Sequence, residues 1–254
     1  AFFLRLMSEK NFHPVVSLRK NEKLPVHVSS VQVGSLSPDT NWENALEGID
    51  TVVHCAARVH MMEESDAETL SAYRYTNVEG TVALARQAAE AGVRRFIFMS
   101  TIGVHGRSQN HPFLFNDPVA PENDYARSKY EAEKGLFQLA NETAMDVVVL
   151  RPPLVCGPEA PGNFGQLVKW IARGVPLPLG AVDNRRSLVG LDNLVDLLVR
   201  CIEMESSSSG CRHWANDTPW ANCSSAVSCA GRRCSASIPR RGRRRPAQDA
   251  AGRP

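Results

Sequence analysis

Residues 94–101 read RRFIFMST, and the apolar run inside them, Phe96–Met99, decides the fold. A strand wetted on one face alternates apolar and polar residues. A continuous run belongs to a strand covered on both faces, as in a parallel sheet. The run ends abruptly in two hydroxyls, Ser100 and Thr101. The same β-branched texture recurs in HPVVSL (13–18), VHVSSVQVG (26–34), DTVVHCAA (50–57) and MDVVVLRP (145–152). Helical stretches lie between these runs, at Thr40–Gly48, in NVEGTVALARQAAEAG (77–92) and in DYARSKYEAEKGLFQLANE (124–142). A last helix, LDNLVDLLVRCI (191–202), sets Leu191, Leu194, Val195, Leu198 and Ile202 on one face. Strand–helix alternation of this kind predicts an α/β fold: a Rossmann-like, doubly wound parallel sheet.

The bulk properties agree with a globular chain. Its 254 residues are 43% hydrophobic and 22% charged, and no apolar run approaches the ~18 residues of a membrane span. The opening AFFLRLMSEK lacks the basic leader and the apolar length of a signal peptide. A cytoplasmic location without membrane attachment is the expectation.

The texture changes near residue 206. Residues 211–254 hold nine Arg against Asp217 and Asp249, and four of the seven cysteines, Cys211, Cys223, Cys229 and Cys234. Leu, Ile and Val almost vanish. A disordered basic tail and a segment translated out of frame both account for this composition. A zinc site from these cysteines and His213 is disfavoured, because no paired C-x-x-C spacing occurs; no metal is expected. The Arg-rich tail alone is a weak basis for nucleic-acid binding.

The chemistry concentrates in YARSK (125–129). Residues i and i+4 share a helix face, and Tyr125 and Lys129 continue onto Ala132 and Leu136, so the pair lies on the apolar stripe. Burying either group without partners is costly. A phenol is a poor acid or base at neutral pH, and a neighbouring ammonium lowers its pKa. Thr101 and Ser100 end a strand at the edge where ligands gather in open α/β sheets. Chance pairing is the plain alternative; the α/β setting and the strand-ending Ser-Thr favour a proton-transfer site. Tyr130 points off this face.

The series GIDTVVHCAARVH (48–60), NVEGT (77–81), STIGVHG (100–106), YARSK, LRPPLVCGP (150–158), GNF (162–164) and NRRSLVGLDNLVD (184–196) resembles the extended short-chain dehydrogenase/reductase family. Within that family it is similar to the bacterial nucleotide-sugar epimerases and 4-keto-reductases, UDP-glucose 4-epimerase-like, of the O-antigen group. The resemblance spans roughly residues 1–205. It implies that Thr101, Tyr125 and Lys129 are catalytic and act at C4 of a UDP-hexose or UDP-N-acetylhexosamine. It implies an NAD or NADP cofactor held near Cys55, Ala56, Ala57, Asn77, Ser100, Tyr125, Lys129 and Pro153, with Ser35 and Leu36 beside the adenine. The alternative reading of Asn77 is a helix N-cap. Thr101, Asn163 and Arg186 would meet the substrate, the last as an arginine fork for diphosphate or, alternatively, as a solvated charge beside Arg185. Arg19 stands where an acid would hold ribose hydroxyls, which leans the expectation to NADP. A homodimer also follows from the resemblance. A 4,6-dehydratase is disfavoured, because Ile102-Gly103 follow the threonine in place of Asp-Glu.

Two departures qualify it. The G-x-x-G-x-x-G phosphate loop with its strand is absent from this sequence, and residues beyond 206 do not continue the family's C-terminal lobe. The expected organisation is a dinucleotide-binding domain at 1–160 without that loop, the start of a substrate lobe at 161–205, and an irregular tail at 206–254. Poor cofactor binding is expected of such a chain, and an inert fragment or a non-catalytic dinucleotide-binding protein is the alternative reading.

Overall fold

The computed structural model describes residues 2–8, 11–20, 29–59, 66–109, 111–114, 116–157, 162–176, 186–204, 212–214 and 228–229. Five strands stand where the apolar runs place them: β1 (Val15–Leu18), β2 (Ser29–Gln32), β3 (Thr51–His54), β4 (Arg95–Met99) and β5 (Asp146–Leu150). β3, β4 and β5 pair in parallel in that order, with Thr51 beside Arg95 and Arg95 beside Asp146. β1 and β2 form a separate parallel pair. The fold is Rossmann-like, parallel sheet with helices against it.

The continuous run in β4 serves two cores at once. Phe96 and Phe98, with Val147 and Val149 of β5, face one side and meet α2 (Glu43–Leu46), α4 (Thr81–Glu90) and α5 (Asp124–Glu142) through Leu46, Leu84, Ala132 and Leu136. Ile97, Val148 and Leu150 face the other side and meet α7 (Leu191–Glu203) through Leu198 and Cys201. Period-two alternation divides one apolar run between both layers. β1 and β2 depart from this expectation: their residues are exposed or half-buried. Val31 and Val33 pack on the first core from one side, so this pair has only one covered face among the described residues.

Arg95 explains a charge inside an apolar strand. It is 1% exposed. Its Nε donates to Asp146 Oδ2 at 2.8 Å, and NH1 donates to the Cys201 and Met204 carbonyls. The guanidinium therefore neutralises a buried carboxylate and satisfies orphan carbonyls at the end of α7. Gly135 is a second packing device. A Cβ there would stand 2.6 Å from Val82 Cγ2, so its bare α-carbon lets α5 approach α4.

Three local differences concern the expected helices. The Thr40–Gly48 helix is the single turn α2, because Gln87 Oε1 accepts from the Trp42 N–H and Nε2 donates to the Thr40 carbonyl, holding those residues as loop. Residues 77–92 belong to a longer helical run: α3 (Asp66–Tyr73) passes through a π-helical segment, Arg74–Gly80, into α4. Asn77 therefore sits inside a helix and is no N-cap. Within the tail expected to be irregular, Arg212–Trp214 form β8, parallel to β5, and Ser228–Cys229 form β9, antiparallel to β8. Cys211, Cys223 and Cys234 lie outside the described residues.

The remaining elements are α1 (Phe2–Ser8), a 3-10 turn at Ile102–His105, β6 (Leu154–Cys156), α6 (Gly162–Ala172) and β7 (Leu188–Gly190), the last pairing with β6. No helix among the described residues is long and apolar enough to cross a membrane.

Candidate active site

The C-terminal ends of β3, β4 and β5 lie side by side, and the residues that follow them are Cys55–Ala57, Ser100–Thr101 and Arg151–Pro153. An open parallel sheet offers ligands this edge. Asn123 starts α5 beside it: its Oδ1 accepts from the Ala126 N–H at 2.8 Å, an ordinary N-cap. Tyr125 and Lys129 follow one turn apart.

Lys129 is 2% exposed. Its Nζ donates to the Met99 carbonyl at 2.8 Å and stands 4.5 Å from the centroid of the Phe98 ring. The ammonium is thus fastened to the last residues of β4, immediately before Ser100 and Thr101. Burial pulls its pKa down to about 8, against the opposing pull of Cys55 and Glu133.

Tyr125 is half-buried, with its ring edge-on to Tyr73 at 6.3 Å. Burial, and then Tyr73, raise its pKa. This corrects the expectation that Lys129 lowers it. The ammonium is held by Met99 and the Phe98 face, so the phenol feels desolvation more than positive charge.

Thr101 has extended backbone, and its Oγ1 accepts from the Gly103 N–H at 3.1 Å, capping the 3-10 turn. Its own O–H proton remains a donor. Ser100, 4% exposed, points inward and donates to Glu133 Oε1 at 2.5 Å. Its side chain is a support for the strand end rather than a surface contact.

Asn77 binds backbone. Its Oδ1 accepts from the Arg58 N–H at 2.8 Å; its Nδ2 donates to the Arg58 carbonyl at 3.1 Å and to Ser128 Oγ at 3.0 Å. Ser128 in turn donates to the Tyr125 carbonyl at 2.8 Å. One amide therefore ties the loop after β3 to the first turn of α5. Cys55 and Ala56 are exposed on that loop and Ala57 is half-buried, which leaves small side chains at the open edge.

The structure brings Tyr125, Lys129, Ser100, Thr101, Asn77 and the 55–57 loop together, with Pro153 buried just past β5 at the same edge. Ser35 and Leu36 follow β2, and Leu36 reaches the π-helical segment: a Cβ on Gly80 would lie 3.1 Å from Leu36 Cγ, while the Ser35 carbonyl accepts from Thr40 Oγ1. Arg19 is exposed beyond β1, and Arg186 is exposed before β7; no contact among the described residues carries either to Tyr125. The side chain of Asn163, in the first turn of α6, lies outside the described residues.

Sequence reasoning passed over Glu133, Arg151, His105, Tyr73 and Ser128. Glu133 is 0% exposed and Arg151 3%. Arg151 Nε donates to Glu133 Oε1 at 3.0 Å, NH2 pairs with Oε2, and NH1 faces His105 Nε2 at 2.9 Å. The signal was present: Glu133 repeats the four-residue spacing of Tyr125 and Lys129, and Arg151 directly ends an apolar strand.

Comparison with known proteins points in one direction. Residues 3–214 match the family described as "NAD dependent epimerase/dehydratase family", nine residues beyond the extent expected from the motifs. A UDP-glucose 4-epimerase of Vibrio cholerae is 47% identical over 175 residues, 68% of this chain and 53% of that protein. An N-acetyl-alpha-D-glucosaminyl-diphospho-ditrans,octacis-undecaprenol 4-epimerase of Escherichia coli O157:H7 is 32% identical over 169 residues, 66% of this chain and 50% of its own. The chain spans about half the length of these curated relatives. Among solved structures, MoeE5 in complex with UDP-glucuronic acid and NAD superposes with a TM-score of 0.69 at 22% identity, covering 85% of this chain and 72% of that one. Bordetella bronchiseptica WbmG in complex with NAD gives 0.64 at 23%, covering 84% and 67%. These likenesses establish the fold.

Proposed function

The chain belongs to the NAD dependent epimerase/dehydratase family, and from that premise we propose that it carries the dinucleotide-binding and acid–base part of an NAD(P)-dependent nucleotide-sugar epimerase or 4-keto-reductase. Its substrate is a UDP-hexose or UDP-N-acetylhexosamine derivative, handled at C4. The observation that supports this most is the hydrogen bond of Lys129 Nζ to the Met99 carbonyl, two residues before Thr101 at the open end of the sheet.

The residues present fit the nicotinamide and ribose part of a dinucleotide, while the Gly-rich loop that would cradle its pyrophosphate is absent from this sequence. Cys55 and Ala56 leave the edge open to close approach, and Lys129 commits to Met99 one of its three N–H donors. When bound, the nicotinamide supplies hydride exchange. Tyr125, whose setting keeps its proton on, donates to a C4 ketone oxygen and takes the proton back from a C4 hydroxyl. The Thr101 hydroxyl orients that oxygen. Lys129 holds positive charge near the phenol and can donate to ribose hydroxyls. Asn77 and Ser128 tie Arg58, directly after the 55–57 stretch, to α5.

NAD is the favoured cofactor, since the family name and the neighbours' ligands name it; exposed Arg19 would suit a 2′-phosphate. The domain boundaries at 160 and 205, a homodimer, and a place in O-antigen sugar synthesis belong to the same proposal. The undecaprenol-linked sugar named for the Escherichia coli relative supports the last of these.

The test is titration of the 254-residue chain with NAD and NADP, followed by conversion of UDP-glucose and UDP-N-acetylglucosamine read by NMR. Tyr125→Phe and Thr101→Val should each lower turnover by about 10²–10⁴-fold. Cofactor binding without turnover would give the non-catalytic reading instead, and neither binding nor turnover would reject the proposal.

A further inference from the structure

Behind the acid–base pair lies a buried network that binding and proton transfer leave unexplained. Tyr125, Lys129 and Glu133 rise along one face of α5 at four-residue intervals. The first two face the strand ends, and Glu133 is fully buried beneath them. Its Oε1 accepts from Ser100 Oγ and from Arg151 Nε, and its Oε2 pairs with Arg151 NH2. Both partners are the residues that immediately follow β4 and β5. The backbone repeats the same junction: the Ser100 N–H donates to the Leu150 carbonyl at 2.7 Å and the Ile102 N–H to the Pro152 carbonyl at 3.0 Å.

A buried ion pair rarely contributes much net stability, because desolvating two charges offsets their attraction. A hydrophobic pair would fill the space equally well. What a charged carboxylate adds is direction, since it receives donors from two strands and one helix at fixed angles.

We propose that Glu133 is a positioning residue for the reaction: by gripping Ser100 and Arg151 from beneath, its carboxylate fixes the Ser100–Thr101 backbone relative to Tyr125 and Lys129. This rests on the proposed function for its chemistry, while the anchoring itself does not. Lys129 faces Glu133 on its own helix, Cys55 and His54 at the end of β3, and the Met99 carbonyl of β4. Glu133 faces Arg151 and, through it, His105. Glu133 opposes the burial of the Lys129 ammonium, so its loss lets Lys129 give up its proton at lower pH.

The test is Glu133→Gln in the full chain, with kcat, KM and the pH profile measured beside amide hydrogen exchange. Misplacement of this size is expected to lower kcat by about 10²-fold, with KM for the UDP-sugar held within about threefold, as for an interaction made in the transition state. The alkaline limb of the profile should move to lower pH, which a merely structural substitution would not cause. Exchange at the Ile102 and Gly103 amides should quicken relative to amides of β5. If kcat and the pH profile match the wild type, the inference is overturned. If the wild type shows no turnover, the function proposal falls, and hydrogen exchange decides this one: selective quickening at 102–103 sustains it and its absence rejects it. Should Glu133→Gln fail to fold, Ser100→Ala, which leaves the Glu133–Arg151 pair whole, must show the same kcat loss and the same exchange.

Discussion

Lys129 Nζ and the carbonyl oxygen of Met99 stand 2.8 Å apart, a hydrogen bond from the second turn of α5 to the last residue of β4. Through it a buried cation serves as a strut between the helix that carries Tyr125 and the strand that delivers Thr101. Such a cation is costly, and the cost depends on pH in a direction that can be worked out. The folded pKa is depressed to about 8 from 10.5. Below pH 8 the lysine is charged in both states and folding bears the full desolvation. Between about 8 and 10.5 the folded protein releases the proton first, so wild-type stability rises across that window.

Lys129→Met should therefore melt higher than the wild type at pH 7, by about 1–3 kcal/mol once the lost Met99 bond is subtracted. The advantage should fade as pH approaches 10. Paired thermal melts at pH 7 and 9.5 check this, and a lower melting temperature at pH 7 would refute it. Turnover should fall in the same variant, separating stability from function.

His54 points the opposite way from an acid-stable core. It is buried, its Nε2 lies 3.0 Å from Thr81 Oγ1, and its ring stacks on Phe98 at 5.8 Å. Burial first, and the Lys129 charge second, push its pKa to about 3. The unfolded chain protonates it near 6.5, so stability is whole above that value and declines as pH falls from 6.5 towards 3. His105 adds to the same limb, since its pKa is also lowered, by burial and by Arg151. His54→Gln should flatten the decline, by up to about 1.4 kcal/mol per pH unit within the window. Urea midpoints at pH 7, 6, 5 and 4 measure the slope, and parallel slopes for both proteins would refute the assignment.

Much of this could be read from sequence, for a physical reason. The run Phe96–Met99 and the spacing of Tyr125 and Lys129 are local periodicities, and period alone sets which face a side chain takes. The supports could not be read that way. Asn77 reaches Arg58, and Glu133 reaches Ser100 and Arg151, only after distant segments converge. Local spacing likewise said nothing of where the Lys129 ammonium would go: its capture by Met99 is tertiary, and it reversed the expected shift of Tyr125. The exposure of β1 and β2 escaped for the same cause, since apolar texture does not reveal which face finds a partner.

Asn77 offers a test of side-chain chemistry at constant shape. Its Oδ1 accepts from Arg58 N–H while its Nδ2 donates to the Arg58 carbonyl and to Ser128. Asn77→Asp keeps the acceptor, loses both donations and buries a charge beside a carbonyl. Asn77→Ala loses all three bonds but leaves no charge. Each unpaired buried group costs about 1–3 kcal/mol, and more for a charged one, so the aspartate should be at least as destabilising as the alanine. Urea midpoints at unchanged slope would show it. An aspartate variant with wild-type stability would remove Asn77 from its role as a clamp.

Gly135 permits a close approach of α5 to α4, since a Cβ there would sit 2.6 Å from Val82 Cγ2. Helix propensity alone favours Gly135→Ala by about 1 kcal/mol, whereas overpacking opposes it by about 1–3 kcal/mol. Contact under 3 Å with a stiff, branched valine gives the second effect the advantage, so the single substitution should destabilise. Val82→Ala removes the obstructing methyls and leaves a small void of its own. In the double variant the methyl introduced by Gly135→Ala enters that void, and the propensity gain is no longer opposed. The two substitutions should therefore couple favourably by more than about 0.5 kcal/mol, the level expected of residues in contact. Four urea curves close the cycle, and simple additivity would mean that the helices slide apart to admit the methyl and that α4 and α5 are not held at this spacing.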